Sequence, residues 1–241
     1  MMPRLQESYI LETDMEKPMK IIARIHTDFP TKFGIPRQSG LADFEATIVF
    51  EPEYRNDEAL RGIEGYSHLW LIWKFSAAER DTWSPTVRPP RLGGNKRMGV
   101  FATRSPFRPN PIGLSSVKLL GVEKTAQGSV LRVSGADLMD GTPIYDIKPY
   151  LAFTDSHPDA VGGFADTRKE YALQVVFPDE LLVLVPANKQ KALLELLSED
   201  PRPQYIDDPE RIYGFAFANL EIKFSVSEGI LKVNEVTVSD A

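Results

Sequence analysis

Residues 113–150 read "GLSSVKLLGVEKTAQGSVLRVSGADLMDGTPIYDIKPY". Three segments in this stretch, Gly113–Glu123, Ser129–Gly135 and Thr142–Tyr150, are short and rich in Val, Ile, Leu and Tyr. Such segments bounded by Gly, Asn and Asp read as β-strands. The spacers between them, residues 124–128 and 136–141, are of turn length. Parallel strands need a crossover of a dozen or more residues, so a doubly wound sheet has no room here. Four segments further upstream have the same character: Met19–Phe29, Phe44–Phe50, Tyr66–Phe75 and Met98–Arg104. Seven strands spaced by turns predict a mainly β, barrel-like N-terminal domain, antiparallel or mixed. A short helix is expected at "NDEALRGI", with Asn56 or Asp57 as its N-cap.

The pattern changes at Pro158–Gly163. "YALQVVF" follows, and then a segment with Leu193, Leu194, Leu196 and Leu197 at helical spacing, which predicts an amphipathic helix over Ala187–Asp200. Two strands are expected after it, "RIYGFAFANLEIKFSV" and "GILKVNEVTV". The expected organisation is therefore residues 19–161 as the barrel domain and residues 162–241 as a small α+β C-terminal domain.

Composition bounds the function. The chain has 241 residues, 42% hydrophobic and 26% charged, as in ordinary globular proteins. Its apolar runs are far shorter than the ~20 residues needed to cross a bilayer. The first residues, "MMPRLQESYILETDMEK", lack the apolar core of a secretory signal. The absence of cysteine excludes disulfides, thiolate metal sites and thiol nucleophiles, and it fits a reducing cytoplasm. The histidines, His26, His68 and His157, have no metal-ligand spacing, so no metal is expected. His68, in an apolar strand, reads as a hydrogen-bonded structural residue.

Charge is unevenly distributed. From Thr82 to Val122 there are Arg88, Arg91, Lys96, Arg97, Arg104, Arg108 and Lys118, and no acid, in a chain of net charge −6. A long acid-free stretch in an acidic protein indicates a surface that accepts an anion, unless acids from elsewhere in the fold neutralise it. "RLGGNKRMG" lacks the Gly-x-Gly-x-x-Gly dinucleotide pattern and is followed by a strand rather than a helix. No Gly-Lys-Ser/Thr phosphate loop exists, so the common nucleotide folds are not supported.

Three patches have site character. In "GIPRQSGL" (Gly34–Leu41), Pro36 stiffens the chain while Arg37 and Gln38 offer donors suited to a carboxylate or an adenine edge; a plain surface turn would also fit. In "FATRSPFRPNPIG", prolines hold Arg108 and Asn110 in place, which lowers the entropy lost on binding an anion or base. In "GADLMDGTPIYDIKPY", Asp137 and Asp140 can hold an ammonium group or a ribose diol, or merely shape a hairpin turn. Tyr145 and Asp146 would point to opposite faces of a regular strand. Arg202, in "DPRPQY", either extends the cationic surface or belongs to the stop of the preceding helix.

"PRQSGL", "GIEGYSHLWLIWKF", "RPPRLGGNKRMGVFATRSPFRPNPIGLS", "DLMDGTPIYDIKPY" and "DPRPQY", in this order, closely resemble the TsaA/YaeB-like (TrmO) tRNA methyltransferase family. The resemblance spans Ile21 to Val226 and leaves the N-terminal extension without a counterpart. It implies a homodimeric, S-adenosyl-L-methionine-dependent methyltransferase built on a β-barrel. The implied reaction methylates N6 of threonylcarbamoyladenosine just 3′ of the anticodon of tRNA. The implied cofactor site comprises Pro36, Arg37, Gln38, Phe75, Ser76, Arg104, Leu114, Asp137, Leu138, Met139 and Asp140. The N6 to be methylated is a poor nucleophile that must lose a proton, and Asp140 and Tyr145 are the candidate bases. Arg88, Arg91, Lys96, Arg97 and Arg108 form the expected track for the anticodon stem-loop, with Phe107 stacking on bases. The alternatives are a non-catalytic RNA- or nucleotide-binding barrel and a methyltransferase of the same fold with another small substrate.

Overall fold

The computed structural model describes residues 18–78, 82–89, 96–168, 172–202, 208 and 210–239. Six strands close into a barrel: β1 (Ala23–His26), β2 (Glu45–Phe50), β3 (His68–Lys74), β6 (Ile112–Thr125), β7 (Gly128–Ser134) and β8 (Thr142–Pro149), in the order β1-β2-β7-β6-β3-β8 and back to β1. Every pairing around the barrel is antiparallel. Alternate residues face inward, as in the buried Leu69, Leu71 and Trp73 of β3. With Ile25, Ile48, Val117, Leu131 and Ile144 they fill the interior. So narrow a barrel is packed with side chains rather than open as a channel.

Closure depends on irregularities in two strands. β6 pairs with β3 through Ile112–Lys118 and with β7 through Lys118–Thr125. It turns from one neighbour to the other at a bulge between Leu119 and Gly121. β8 is bulged against β3, with Ile72 opposite Asp146 but Trp73 opposite Ile144. Tyr145 is the extra residue. This lets Ile144 and Ile147, three apart, both pack on the barrel core. The regular alternation expected of Tyr145 and Asp146 therefore does not hold.

Other segments also depart from the sequence reading. Met98–Arg104 is not a barrel strand: β5 (Met98–Gly99) pairs only with β4 (Thr86–Val87), and residues 100–102 form a 3-10 turn. The segment at "NDEALRGI" is a 3-10 turn over Asp57–Leu60, with the Asn56 side chain accepting from Glu58 N–H. Two one-turn helices, α1 (Ala152–Asp155) and α2 (Asp179–Leu182), precede α3 (Ala187–Ser198), which buries Ala192, Leu193, Leu196 and Leu197.

The C-terminal unit sets α3 against a four-stranded sheet in the order β10-β11-β12-β9, comprising β9 (Gln174–Val176), β10 (Tyr213–Phe217), β11 (Leu220–Ser227) and β12 (Ile230–Val238). The segment read as one strand from Arg211 to Val226 is a hairpin. Ala218 and Asn219 take φ of 49° and 65° between the paired Phe217 and Leu220, the two-residue turn that matches strand twist. The core of this unit also takes in Phe29, Ala42 and Phe44 from the β1–β2 connection. The Phe29 ring meets Phe44 edge-on at 4.9 Å and lies 5.6 Å from Phe217. Gly34, at φ +92°, lies so close to Phe215 that a Cβ would stand 2.3 Å from its ring. Only glycine fits both requirements.

Candidate functional site

Antiparallel closure sends three connections to one end of the barrel: residues 27–44 after β1, 75–111 after β3 and 135–141 after β7. These are the segments that contain the three motif patches, and they meet. The Arg104 guanidinium donates to Gln38 Oε1. Asp137 is close enough to Arg104 to feel its charge, and it accepts from the backbone N–H of Ser39. Asp137 Oδ1 also accepts from Ser115 Oγ at 2.5 Å, and Ser115 Oγ accepts from the Trp73 indole at 2.9 Å. Ser115 is buried on the inner side of β6. Gly113, two residues before it, leaves room for Trp73: a Cβ there would lie 2.2 Å from the indole. Phe75 packs on Trp73 at a ring separation of 4.2 Å.

Burial pushes the Asp137 carboxyl above the usual aspartate range. Hydrogen bonds from Ser115, from its own backbone N–H and from Ser39, together with the Arg104 charge, pull in the opposite direction. The result is a half-buried acid facing a cation. This is the arrangement that polar recognition of a small zwitterion requires.

The remaining residues of the expected set lie around this centre. Pro36 and Leu138 are buried, Phe75 and Met139 half-buried, and Ser76 exposed. Leu114 is 58% exposed on the outer face of β6, opposite in direction to Ser115. Arg37 turns towards the C-terminal unit, donating to the Asp200 carbonyl and, at 3.1 Å, to the Arg202 carbonyl. Asp140 accepts from Thr27 N–H at 3.0 Å and lies 3.1 Å from His26 Nδ1. His26 and Thr27 line a polar cavity of about 370 Å³ shared with Asp28, Arg132 and Lys189. Tyr145 follows on β8, half-buried. His68 lies at the far end of β3, paired with Ser67 Oγ at 2.9 Å.

Of the cationic track, Arg88, Lys96 and Arg97 are exposed on and beside the β4–β5 ribbon, where Arg97 donates to Thr86 Oγ1 at 3.2 Å. Arg91 lies outside the described residues. Arg108 donates to the carbonyls of Thr103 and Ser105 at 3.0 and 3.3 Å, so the proline-rich segment does hold it. Phe107 is half-buried. Arg202 does not extend this surface: it pairs with Asp200 at 2.8 Å, with side chains 12% and 3% exposed. Among the described residues, no cluster of His, Asp and Glu could hold a metal, and no helix is long and apolar enough to cross a membrane.

Sequence reasoning did not reach Ser39, Ser115, Trp73 or His26. Ser115 had a visible signal, a hydroxyl at an inward position between Gly113 and Val117. Ser39 and Trp73 lay inside quoted motifs and His26 among the three histidines, but nothing in their spacing tied them to the site.

Comparison with known proteins identifies the family. Residues 24–156 match the tRNA-methyltransferase O N-terminal domain, and residues 170–239 match the TrmO C-terminal domain. The tRNA (adenine(37)-N6)-methyltransferase of Escherichia coli K12 is 41% identical over 223 residues, covering 88% of this chain and 94% of that one. A Pseudomonas aeruginosa protein named as an S-adenosylmethionine-dependent methyltransferase, RcsF, is 40% identical over 83% of this chain and 89% of its own. The crystal structure of TrmO from P. aeruginosa matches 96% of this chain and 100% of its own with a TM-score of 0.76 at 33% identity. With both halves matched in order and a solved relative sharing the whole architecture, the chain belongs to the tRNA-methyltransferase O family of enzymes.

Proposed function

We propose that the chain transfers a methyl group from S-adenosyl-L-methionine to N6 of adenosine 37 of tRNA, and that this base already bears a threonylcarbamoyl group. The observation that supports this reading most is the meeting of Gln38, Ser39, Arg104 and Asp137 at one mouth of the barrel. Those groups suit the donor. A cation and loop amides match its carboxylate, a half-buried acid matches its ammonium group or ribose diol, and the apolar wall matches its adenine.

In this assignment Arg104, Gln38 and the amides of residues 37–39 hold the carboxylate, and Asp137 receives the ammonium or the diol. Pro36, Phe75, Leu138 and Met139 supply apolar walls, with Ser76, Leu114 and Asp140 at the margin. Arg37 acts through its backbone and by fixing the loop. When bound, S-adenosylmethionine supplies an electrophilic methyl carbon on a sulfonium. The chain's own contribution is mainly alignment, holding the reacting atoms about 3–3.5 Å apart. A threonylcarbamoylated N6 shares its lone pair with a carbonyl, so its proton must leave as the new bond forms. Asp140, beside His26, and Tyr145 are the groups assigned to receive it. Arg88, Arg91, Lys96, Arg97 and Arg108 neutralise phosphates of the anticodon stem-loop, with Phe107 beside them. The working unit is a cytoplasmic homodimer, each copy comprising a barrel domain of residues 19–161 and a C-terminal domain of residues 162–241.

Calorimetric titration with S-adenosylmethionine, followed by methyl transfer to tRNA with and without the threonylcarbamoyl group, tests the reading. Arg104→Ala should weaken donor binding roughly ten- to a hundred-fold, the range of a charge-assisted hydrogen bond. Transfer should require the modified base. Equal transfer to unmodified tRNA would overturn the substrate assignment, and wild-type protein that binds no donor would overturn the enzyme reading as a whole.

A further inference from the structure

The β4–β5 ribbon belongs to the segment that leaves β3 at the barrel mouth, and it has a feature that the cofactor site does not use. Trp83, just before β4, and Phe101, just after β5, are brought side by side where the two strands pair through Thr86–Gly99 and Val87–Met98. Their rings are stacked, 28° apart in plane and 6.1 Å between centroids. Neither is covered: Trp83 is 50% exposed and Phe101 72%. The pair is held from beneath, since the neighbouring Val100 is fully buried and its N–H donates to the Pro85 carbonyl at 2.9 Å. Arg108, clamped to the carbonyls of Thr103 and Ser105, places its guanidinium 6.0 Å from the Phe101 ring.

We propose that Trp83 and Phe101 are the platform on which unpaired bases of the substrate RNA stack. The proposal rests on the tRNA reading above and extends it to residues that the reading did not include. Bases of a single-stranded loop present apolar faces and an anionic backbone together. A surface that binds them combines exposed aromatic rings with nearby cations. The ribbon has that combination, with Arg88, Lys96 and Arg97 exposed and no acid from Thr82 to Val122. A second copy of the chain is the other occupant to consider. In a two-fold interface centred on this pair the same cationic ribbon would face itself, and like charges across an interface are costly. Charge therefore favours RNA. Phe107, half-buried, offers less ring surface than Phe101.

The test is binding of a synthetic anticodon stem-loop RNA to the full chain, read by tryptophan fluorescence and by anisotropy of labelled RNA. Of the other tryptophans, Trp73 is buried, and the half-buried Trp70 lies towards the opposite end of the barrel, where its indole donates to Asp155 at 2.8 Å. RNA should therefore quench emission in the wild type, and the quenching should be lost in Trp83→Phe. Trp83→Ala and Phe101→Ala should each weaken RNA binding roughly 5- to 100-fold, as loss of base stacking does. Phe101→Leu should fail to restore it and Phe101→Tyr should succeed. The salt dependence of binding and the affinity for S-adenosylmethionine should stay unchanged, because neither residue is charged or at the donor site. RNA affinity that survives both alanine substitutions would overturn the assignment alone. Loss of self-association in sedimentation, with RNA affinity intact, would also overturn it and give the platform to a second copy. Wild-type protein that binds donor but no RNA would overturn the tRNA reading and this assignment together.

Discussion

The 27–44 loop and the 75–111 segment leave the same end of the barrel, yet they are held in opposite ways. The first is pinned by the C-terminal unit. Phe29 and Phe44 sit in that unit's core, Lys189 pairs with Asp28, and Arg37 donates to carbonyls of the turn after α3. The turn is itself braced: Asp200, at φ 53°, receives Arg202 through both carboxylate oxygens. The second segment instead forms a ribbon on and beside which cations and an aromatic pair are exposed to solvent. The difference teaches how one barrel mouth can serve two ligands of unlike size. A small ligand gains affinity from groups fixed before it arrives. A long polyanion gains it from charge and stacking surface presented outward.

The strongest way to break this contrast is at the braced turn. Arg202→Ala takes the bidentate partner from the buried Asp200 carboxylate. The expected loss is about 3–5 kcal/mol in denaturant unfolding, the usual cost of halving a buried ion pair. Donor binding should weaken in parallel as Arg37 loses its anchorage. An Arg202→Ala protein with full stability and full donor affinity would show that the clamp does not set the loop.

A sharper probe is Asp137, the half-buried acid that faces the pinned loop. Burial raises the Asp137 pKa above the unfolded value, so the folded state holds this proton more tightly than the unfolded chain does. The stability that this contributes is complete below the unfolded pKa of about 3.9 and is lost as pH rises through the folded value. The stability of wild type relative to Asp137→Asn should therefore decline with rising pH and then level off. Thermal melts of both proteins across that range would reveal it, and a pH-independent difference would mean that Asp137 is not desolvated.

The smallest effect is expected on the β4–β5 ribbon. Arg97→Ala should leave the melting temperature unchanged, as surface substitutions usually do. It should lower the slope of log affinity for tRNA against log salt by roughly 0.7–0.9, one phosphate contact's worth. A shift in melting temperature would place Arg97 among the structural residues and weaken the distinction between the two loops.

Part of this was legible along the chain. The strands from Gly113 to Tyr150 announced themselves because an antiparallel barrel buries every second residue and joins strands by turns. The cationic segment was legible because charge can be counted without knowing the fold. The Ala218–Asn219 turn escaped because alanine does not advertise a left-handed backbone, and neighbouring strands impose it. Met98–Arg104 misled because its apolar residues suit a strand, yet Val100 is drawn into a 3-10 turn. Arg37 read as a ligand donor or part of a surface turn, and Arg202 as an extension of the cationic surface or a helix stop, whereas one donates to carbonyls and the other is buried against an acid.

The sequence by itself determined that this is a β-rich, cysteine-free chain with an acid-free stretch fit for an anion, and its motif order determined the family. Periodicity and composition are local properties, and a single chain displays them in full. Only the tertiary structure decided that Gln38 and Arg104, 66 residues apart, share a hydrogen bond beside Asp137. Only it decided that the C-terminal unit braces the loop of Gln38, while the cations and aromatic pair of the ribbon stay exposed. Those outcomes depend on which strands become neighbours when the barrel closes, and that is set by the packing of all six strands together rather than by the alternation within any one of them.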